Sequence, residues 1–222
     1  PYAYQQDTLI LDAKGFNIRH LALVKSETRE MTEWAYHDNK IYISLGRFYQ
    51  PGEKIDVFID YTAAPQELKV GSDINSRDDR GLYFINPKAR GKKPMQIWTQ
   101  GETENNSCWF PTIEDPAEKM THEISITVDQ KFQTLSNGIL MHSEDHEDGT
   151  RTDYWEMSKE HAVYLTMLAV GEFSATHERW KDVELTYMME PGFAPYAQNI
   201  FGRTPEMLDF FSEKLGTPYP WS

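Results

Sequence analysis

Residues 51–61 read PGEKIDVFIDY and give the clearest indication of the fold. Pro51-Gly52 is a turn-forming pair. Alternate positions behind it carry the apolar residues Ile55, Val57, Ile59 and Tyr61. The positions between them carry Asp56, Phe58 and Asp60, so that Phe58 is the one apolar exception. A repeat of two is the side-chain period of a β-strand. The stretch therefore predicts a strand with one buried and one exposed face.

The same period recurs on both sides of this strand. It appears in residues 41–45, 124–128 and 183–187, and turn-forming residues separate these segments. Asn137-Gly138 is the strongest hairpin dipeptide in the chain, because both residues tolerate a positive φ angle. Many short strands between turns are typical of an all-β domain. We expect such a β-sandwich to extend from about Tyr4 to Glu190.

The pattern changes near Pro191, where a helical period replaces the strand period. Thr204-Pro205 has the form of a helix start, with Thr as the N-cap and Pro in the first turn. Leu208, Phe211 and Leu215 follow on one helix face, and Gly216 is placed to end the helix. The chain is therefore expected to divide into a β-rich domain, residues 1–190, and the start of a second domain, residues 191–222.

Composition excludes several classes of function. The formal net charge is −13, with 22 Lys and Arg against 35 Asp and Glu, so a nucleic acid is not expected as a partner. No apolar run approaches the roughly 20 residues of a membrane-spanning helix, and residues 1–4 do not resemble a signal peptide. The composition predicts a soluble chain and leaves its compartment open. The single cysteine, Cys108, is expected to be a small buried residue rather than a nucleophile.

Three histidine-containing stretches are candidate metal sites. His122-Glu123 and His177-Glu178 begin like the zinc motif H-E-x-x-H, but neither completes it, and both lie in strand-like sequence. His142 and His146 stand among four acidic residues at a predicted loop tip. Such a loop could hold a divalent cation or could simply be solvated, and the solvated reading is favoured. No metal ligand is predicted in this chain.

Gln100 and Glu102 are the candidate binding residues, in the segment Trp98-Thr99-Gln100-Gly101-Glu102. If the segment is extended, both side chains point the same way. A paired amide and carboxylate could then hold an ammonium group by charge-assisted hydrogen bonds. The alternative from spacing alone is an exposed strand end with solvated polar groups.

Several motifs in this region resemble the N-terminal domain of zinc aminopeptidases of the aminopeptidase N family. They are Arg80-Gly81-Leu82-Tyr83, Gln100-Gly101-Glu102, the stretch from Trp109 to Lys119, Val170-Gly171-Glu172-Phe173, Glu190-Pro191-Gly192 and the run from Gly216 to Trp221. They occur in the family's order and cover nearly the whole chain. Two departures lie in the third motif, where Thr112 replaces a common Cys and Glu114-Asp115 inverts the usual order.

The resemblance implies a fold, an activity and a site. The fold would be a saddle-like β-sandwich followed by the start of a catalytic domain. The activity would be the zinc-dependent removal of N-terminal residues from peptides, with Gln100 and Glu102 lining the pocket for the substrate's free amine. The family's zinc ligands lie beyond Ser222, so this chain by itself is expected to bind no zinc and to be inactive. Its expected partners are a peptide N-terminus and its own catalytic domain.

Two alternatives remain open at this point. The chain could be a free-standing β-sandwich that serves as a binding or scaffold module, or it could belong to a catalytically inactive member of the family. The sequence downstream separates them, because an H-E-x-x-H helix there favours the enzyme.

Overall fold

The computed structural model describes residues 4–68 and 80–220 of the 222-residue chain. Strands dominate these ranges. In chain order, β1 to β15 are Gln6–Asp12, Phe16–Lys25, Thr28–Met31, Trp34–His37, Lys40–Tyr49, Asp56–Ala63, Leu82–Ile85, Gln96–Thr99, Lys119–Asp129, Gln133–Ser136, Ile139–Asp145, Thr150–Ala162, Leu168–Gly171, Ser174–Trp180 and Val183–Met189. The 3₁₀ turns are Pro65–Glu67, Asn106–Cys108, Val163–Leu165 and Pro191–Tyr196, and two helices follow, α1 (Ala197–Phe201) and α2 (Thr204–Leu215).

Two three-stranded sheets form the first half of the fold and share one apolar core. Their strand orders are β1-β5-β4 and β3-β2-β6, and the strands pair antiparallel. Leu21 of β2 and Ile41 and Ile43 of β5 are fully buried between them. Val57, Ile59 and Tyr61 of β6 pack against this core. The strand predicted for residues 55–61 is thus confirmed.

Phe58, the apolar exception on the outer face of β6, is contacted by Arg29 and His20. The guanidinium carbon of Arg29 lies 3.4 Å from the centroid of the Phe58 ring, and the His20 ring lies beside it. A cation over an aromatic face is stabilising even near the surface. The exception in the alternation is therefore a cation–π site and not a break in the strand.

The second half of the fold contains the four-stranded sheet β10-β13-β8-β7, the three-stranded sheet β11-β12-β9 and the hairpin β14-β15. A buried polar network joins the first two sheets. The carboxylate of Asp153 in β12 accepts hydrogen bonds from Thr134 of β10, at 2.7 Å, and from Ser143 and Arg151. Burial by itself would raise the pKa of Asp153, but these hydrogen bonds outweigh it and leave the pKa lowered.

The hairpin predicted at Asn137-Gly138 is wrong. These residues connect β10 to β11, but β10 pairs with β13 and β11 pairs with β12. The dipeptide therefore turns a corner between two sheets. The Asn137 side chain holds this corner by bonding the carbonyl of Leu165 and the backbone N–H of Met167. A dipeptide favours a turn but does not fix which strands pair across it.

The helical segment after Pro191 packs on the β14-β15 hairpin. The Phe201 ring stacks on Tyr187 at 4.6 Å, and Lys181 forms a 2.8 Å ion pair with Asp209. The predicted helix is confirmed, and Gly216 ends it in the left-handed conformation. Thr204 lies inside the helix, with Arg203 as the N-cap residue. Neither α1 nor α2 is long and apolar enough to span a membrane, and no other α-helix lies in the described ranges.

Limited proteolysis of the chain is expected to cut first after about Pro191. In α2 every side chain is exposed or half-buried, and Phe210, Phe211 and Leu215 are exposed. A segment with so little buried surface opens before a strand that is paired along its length. Mass spectrometry of the early fragments measures the cut. Early cleavage within residues 124–128 of β9 would contradict the division at residue 190.

Candidate functional site

Gln100 and Glu102 lie where β8 gives way to a turn. The backbone N–H of Gln100 donates to the carbonyl of Gly81 at 2.8 Å, which extends the β7-β8 ladder by one residue beyond Thr99. Glu102 begins the turn that leads to Asn105, and both candidate side chains are exposed. The condition of an extended segment holds as far as Gln100 and ends at Glu102, where the chain turns. The two residues are presented where a strand enters a turn and not along one strand face.

A buried asparagine fixes this turn from beneath. Asn106 is 0% exposed, and its Nδ2 donates to the carbonyls of Val163 at 2.6 Å and Thr166 at 3.0 Å. Its Oδ1 accepts a hydrogen bond from the indole N–H of Trp109 at 2.9 Å. Both amide protons and the amide oxygen are therefore used inside the protein. The amide joins the loop that carries Gln100 and Glu102 to the 3₁₀ turn Val163–Leu165.

Two glycines allow the chain to cross itself around Asn106. A Cβ on Gly81 would lie 1.9 Å from the carbonyl oxygen of Asn105, and Gly81 has a φ of +66°. A Cβ on Gly101 would lie 2.3 Å from the carbonyl oxygen of Tyr164. No residue with a Cβ fits at either position. The glycines between Arg80 and Leu82 and between Gln100 and Glu102 thus have a packing reason.

The Trp109–Lys119 stretch ties the site to the first half of the fold. The backbones of Asp12 and Thr112 exchange two hydrogen bonds, of 2.7 and 3.0 Å, and the N–H of Glu114 donates to the Asp12 carboxylate. Glu114 in turn accepts from the backbone N–H of Ser107 at 2.5 Å. Burial raises the pKa of Glu114, although that hydrogen bond opposes the shift. These contacts give the stretch a structural role.

β8 also reaches the start of the helical segment. The side-chain amide of Gln96 donates to the Glu190 carboxylate at 3.0 Å. Gln96 and Gln100 lie four residues apart on one strand and its one-residue extension, so they share a face. The candidate site therefore lies on the sheet face that contacts Glu190. This residue lies between the last strand and the 3₁₀ turn Pro191–Tyr196.

The histidine stretches do not form a metal site. His122 and His177 lie in strands β9 and β14, as their sequence context indicated, and His177 contacts Glu184. In the acidic loop the His142 ring stacks on Tyr154, and His146 bonds Thr152. Across residues 4–68 and 80–220, no three His, Cys, Asp or Glu side chains come together in a way that could hold a metal. Cys108 is fully buried, as expected.

No sequence pattern indicates the histidine pair that lies inside the second half of the fold. The rings of His122 and His161 meet edge-on, 4.9 Å apart, although 39 positions separate them. Within the described part of the chain, neither ring nitrogen of His122 has a hydrogen-bond partner. Burial, helped by His161, lowers the pKa of His122 to about 4. His122 is therefore neutral at pH 7, and an irregular register between β9 and β12 brings the rings together.

The chain resembles known proteins over most of its length. Residues 2–165 match the family model of the peptidase M1 N-terminal domain. Probable aminopeptidase 2 of Sulfurisphaera tokodaii is 21% identical over 218 residues, which cover 98% of this chain and 25% of that protein. Transcription initiation factor TFIID subunit 2 of Gallus gallus is 25% identical over 146 residues, which cover 64% of this chain and 12% of that protein.

A solved structure has the same fold. The crystal structure of the M1 zinc metallopeptidase from Deinococcus radiodurans matches with a TM-score of 0.74 at 16% identity, covering 99% of this chain and 48% of that chain. The likeness confirms the predicted β-rich fold of an M1 peptidase N-terminal region. The chain spans from about an eighth to a quarter of the length of the two curated relatives and about half of the solved chain.

Replacing Asn106 should destabilise the fold strongly. Asn106→Ala leaves two buried carbonyls and the Trp109 indole N–H without partners, at a cost of about 3 kcal/mol in the free energy of unfolding. Asn137→Ala is the matched control. Its side chain also makes two hydrogen bonds to the backbone, one to Leu165 and one to Met167. Asn137 is partly exposed, so water can replace its amide in these bonds, and the loss is expected to be about 1 kcal/mol. Urea unfolding measures both, and equal losses would contradict the role given to Asn106.

Proposed function

This chain belongs to the peptidase M1 N-terminal domain family, and we propose that it forms one side of the active site of a zinc-dependent aminopeptidase. In that enzyme, Gln100 and Glu102 hold the free amine of a peptide substrate. The observation that carries the proposal is the placement of these two exposed side chains on a turn held by the buried Asn106 amide. The likeness to an aminopeptidase over 98% of the chain supports the same activity.

The chemistry of the pair suits an ammonium group. An ammonium has three N–H donors, and the Glu102 carboxylate and the Gln100 amide oxygen are acceptors. Charge-assisted hydrogen bonds of this kind are roughly twice as strong as neutral ones. An internal peptide has no such charge, and it would leave the carboxylate desolvated and unpaired. The pair therefore favours substrates with a free N-terminus over internal peptide bonds.

A firmly held turn makes this selection effective. Groups that bind a substrate gain most when their supporting structure is already ordered, because little conformational entropy is then lost on binding. The backbone of the turn is bonded at Gln100, Glu102 and Asn105, independently of the Glu102 carboxylate. The site thus combines exposed side chains with a backbone held by hydrogen bonds.

We further propose that residues 191–222 begin the catalytic domain and that zinc is bound by residues outside the described part of this chain. The exposed apolar residues of α2 support this division. When bound, zinc supplies the Lewis acid of the peptide hydrolysis. This chain's own contribution is to bind and orient the amine.

The second candidate is a binding or scaffold role in a catalytically inactive family member. The specific observation in its favour is the 25% identity to a transcription initiation factor subunit over 64% of this chain. The likeness to that subunit covers less of the chain than the likeness to the aminopeptidase, 64% against 98%. A protein without turnover that keeps the fold and a specific protein partner would favour this second role.

In the full-length protein, Glu102→Ala is expected to lower kcat/KM by about ten- to a hundredfold. The substitution removes one charge-assisted contact, which is typically worth about 1.5–3 kcal/mol. The loss falls mainly on KM if the ammonium is held equally in the ground and transition states. The turn itself is preserved, because Glu102 holds it through its backbone carbonyl, which accepts from Asn105. Steady-state kinetics with aminoacyl chromogenic substrates measure the change.

Glu104→Ala is the matched control for this variant. Glu104 is exposed in the same turn, carries the same charge, and also makes its structural contact through the backbone carbonyl, to the Lys14 amine. It is expected to change kcat/KM by less than about threefold. Zinc content should match the wild type in both variants. A Glu102→Ala enzyme with wild-type kcat/KM would reduce Gln100 and Glu102 to solvated surface residues.

The 222-residue chain by itself is expected to show no aminopeptidase turnover and no stoichiometric zinc. In the acidic loop, the rings of His142 and His146 are engaged with Tyr154 and Thr152. Incubation with an aminoacyl chromogenic substrate and metal analysis after dialysis measure both quantities. One zinc retained per chain, and lost on His142→Ala, would contradict this and identify the loop as a site.

A further inference from the structure

An exposed aromatic stack lies beside the candidate amine site. Tyr83 of β7 and Trp98 of β8 are directly opposite each other in the ladder, and their rings stack at 4.6 Å with an interplanar angle of 20°. Trp98 is 40% exposed. Contiguous exposed apolar surface often marks a binding site. The stack is therefore a candidate contact surface.

The stack shares the sheet face of Gln100. Trp98 and Gln100 are two residues apart on the extended ladder, so their side chains emerge on the same side, about 6.6 Å apart. The Tyr83 hydroxyl accepts a hydrogen bond from the backbone N–H of Arg80, which directs the phenol toward the end of the hairpin where Gly81 pairs with Gln100. The aromatic surface thus adjoins Gln100, one of the two residues proposed to hold the amine.

The opposite face of the same sheet is buried along β10 and β13. Thr134 of β10 and Val170 of β13 are opposite each other in register and both buried, and Thr134 bonds Asp153 of the next sheet. Val170 in turn pairs with Ile97, on the other side of β8 from Trp98. The stack, with Gln96 and Gln100, therefore lies on the face directed away from that packing and toward Glu190.

We propose that the Tyr83–Trp98 stack contacts the side chain of the substrate's first residue and selects large apolar residues, aromatic ones above all. In any amino-terminal residue the side chain and the ammonium leave the same carbon atom. A surface that adjoins the ammonium site on the same face is therefore positioned to meet that side chain. An aromatic side chain gains from stacking on the exposed indole, while alanine does not reach it.

The inference rests on the proposed function, and kinetics of the full-length protein test it. Trp98→Ala is expected to lower kcat/KM for a phenylalanyl chromogenic substrate by about tenfold and to change that for the alanyl substrate by less than about twofold. Trp98→Phe should retain most of the preference. Phe84→Ala is the matched control, because Phe84 is 39% exposed on the neighbouring strand but lies on the other sheet face. It should leave both substrates unchanged.

The outcomes separate the two proposals. Glu102→Ala lowers activity toward both substrates alike, whereas Trp98→Ala changes their ratio. An equal loss on both substrates in Trp98→Ala, with an unchanged melting temperature, would overturn the inference and leave the amine site standing. In a protein without turnover, calorimetric titration with L-phenylalaninamide and L-alaninamide decides. Tighter binding of the phenyl ligand that is lost in Trp98→Ala supports the stack, and equal affinities of the two ligands refute it.

Discussion

The rest of the site depends on the hydrogen bonds of the Asn106 side-chain amide. This amide uses both protons and its oxygen inside the protein, on Val163, Thr166 and Trp109. A buried amide is stabilising only when its hydrogen-bonding capacity is filled, so this geometry fixes the positions of three chain segments at once. The turn that carries Gln100 and Glu102 can then remain exposed to substrate without being mobile at its base.

The two halves of the fold have different structural roles. The first half supplies an apolar core between two small sheets. The second supplies a sheet that is buried on one face at Thr134 and Val170 and carries the exposed Trp98 on the other. Asp12 connects the two close to the site: its backbone exchanges hydrogen bonds with Thr112, and its carboxylate accepts from the N–H of Glu114. This arrangement explains how a surface that binds an amine and a surface that binds a side chain can be neighbours. The amine-binding residues and the aromatic stack belong to the sheet face that carries Trp98 and to the turn that follows β8.

Local patterns in the sequence predicted the elements that depend on local physics. The alternation of residues 55–61 and the helix ended by Gly216 follow from side-chain periodicity and glycine's left-handed conformation. The turn at Glu102, the corner at Asn137 and the contact of His122 with His161 depend on partners 28 to 60 residues away. No local pattern carries that information. The roles proposed for Gln100 and Glu102 came from family resemblance, since spacing alone left them indistinguishable from solvated polar residues.

The turn at Glu102 is proposed to receive the amine of a peptide. A crystal structure of the full-length protein with L-phenylalaninamide bound tests it most directly. The predicted result is the ligand's ammonium within about 3 Å of a Glu102 carboxylate oxygen and of the Gln100 amide oxygen, with its ring against Trp98. An ammonium held by other residues, with Gln100 and Glu102 contacting only solvent, would contradict the account.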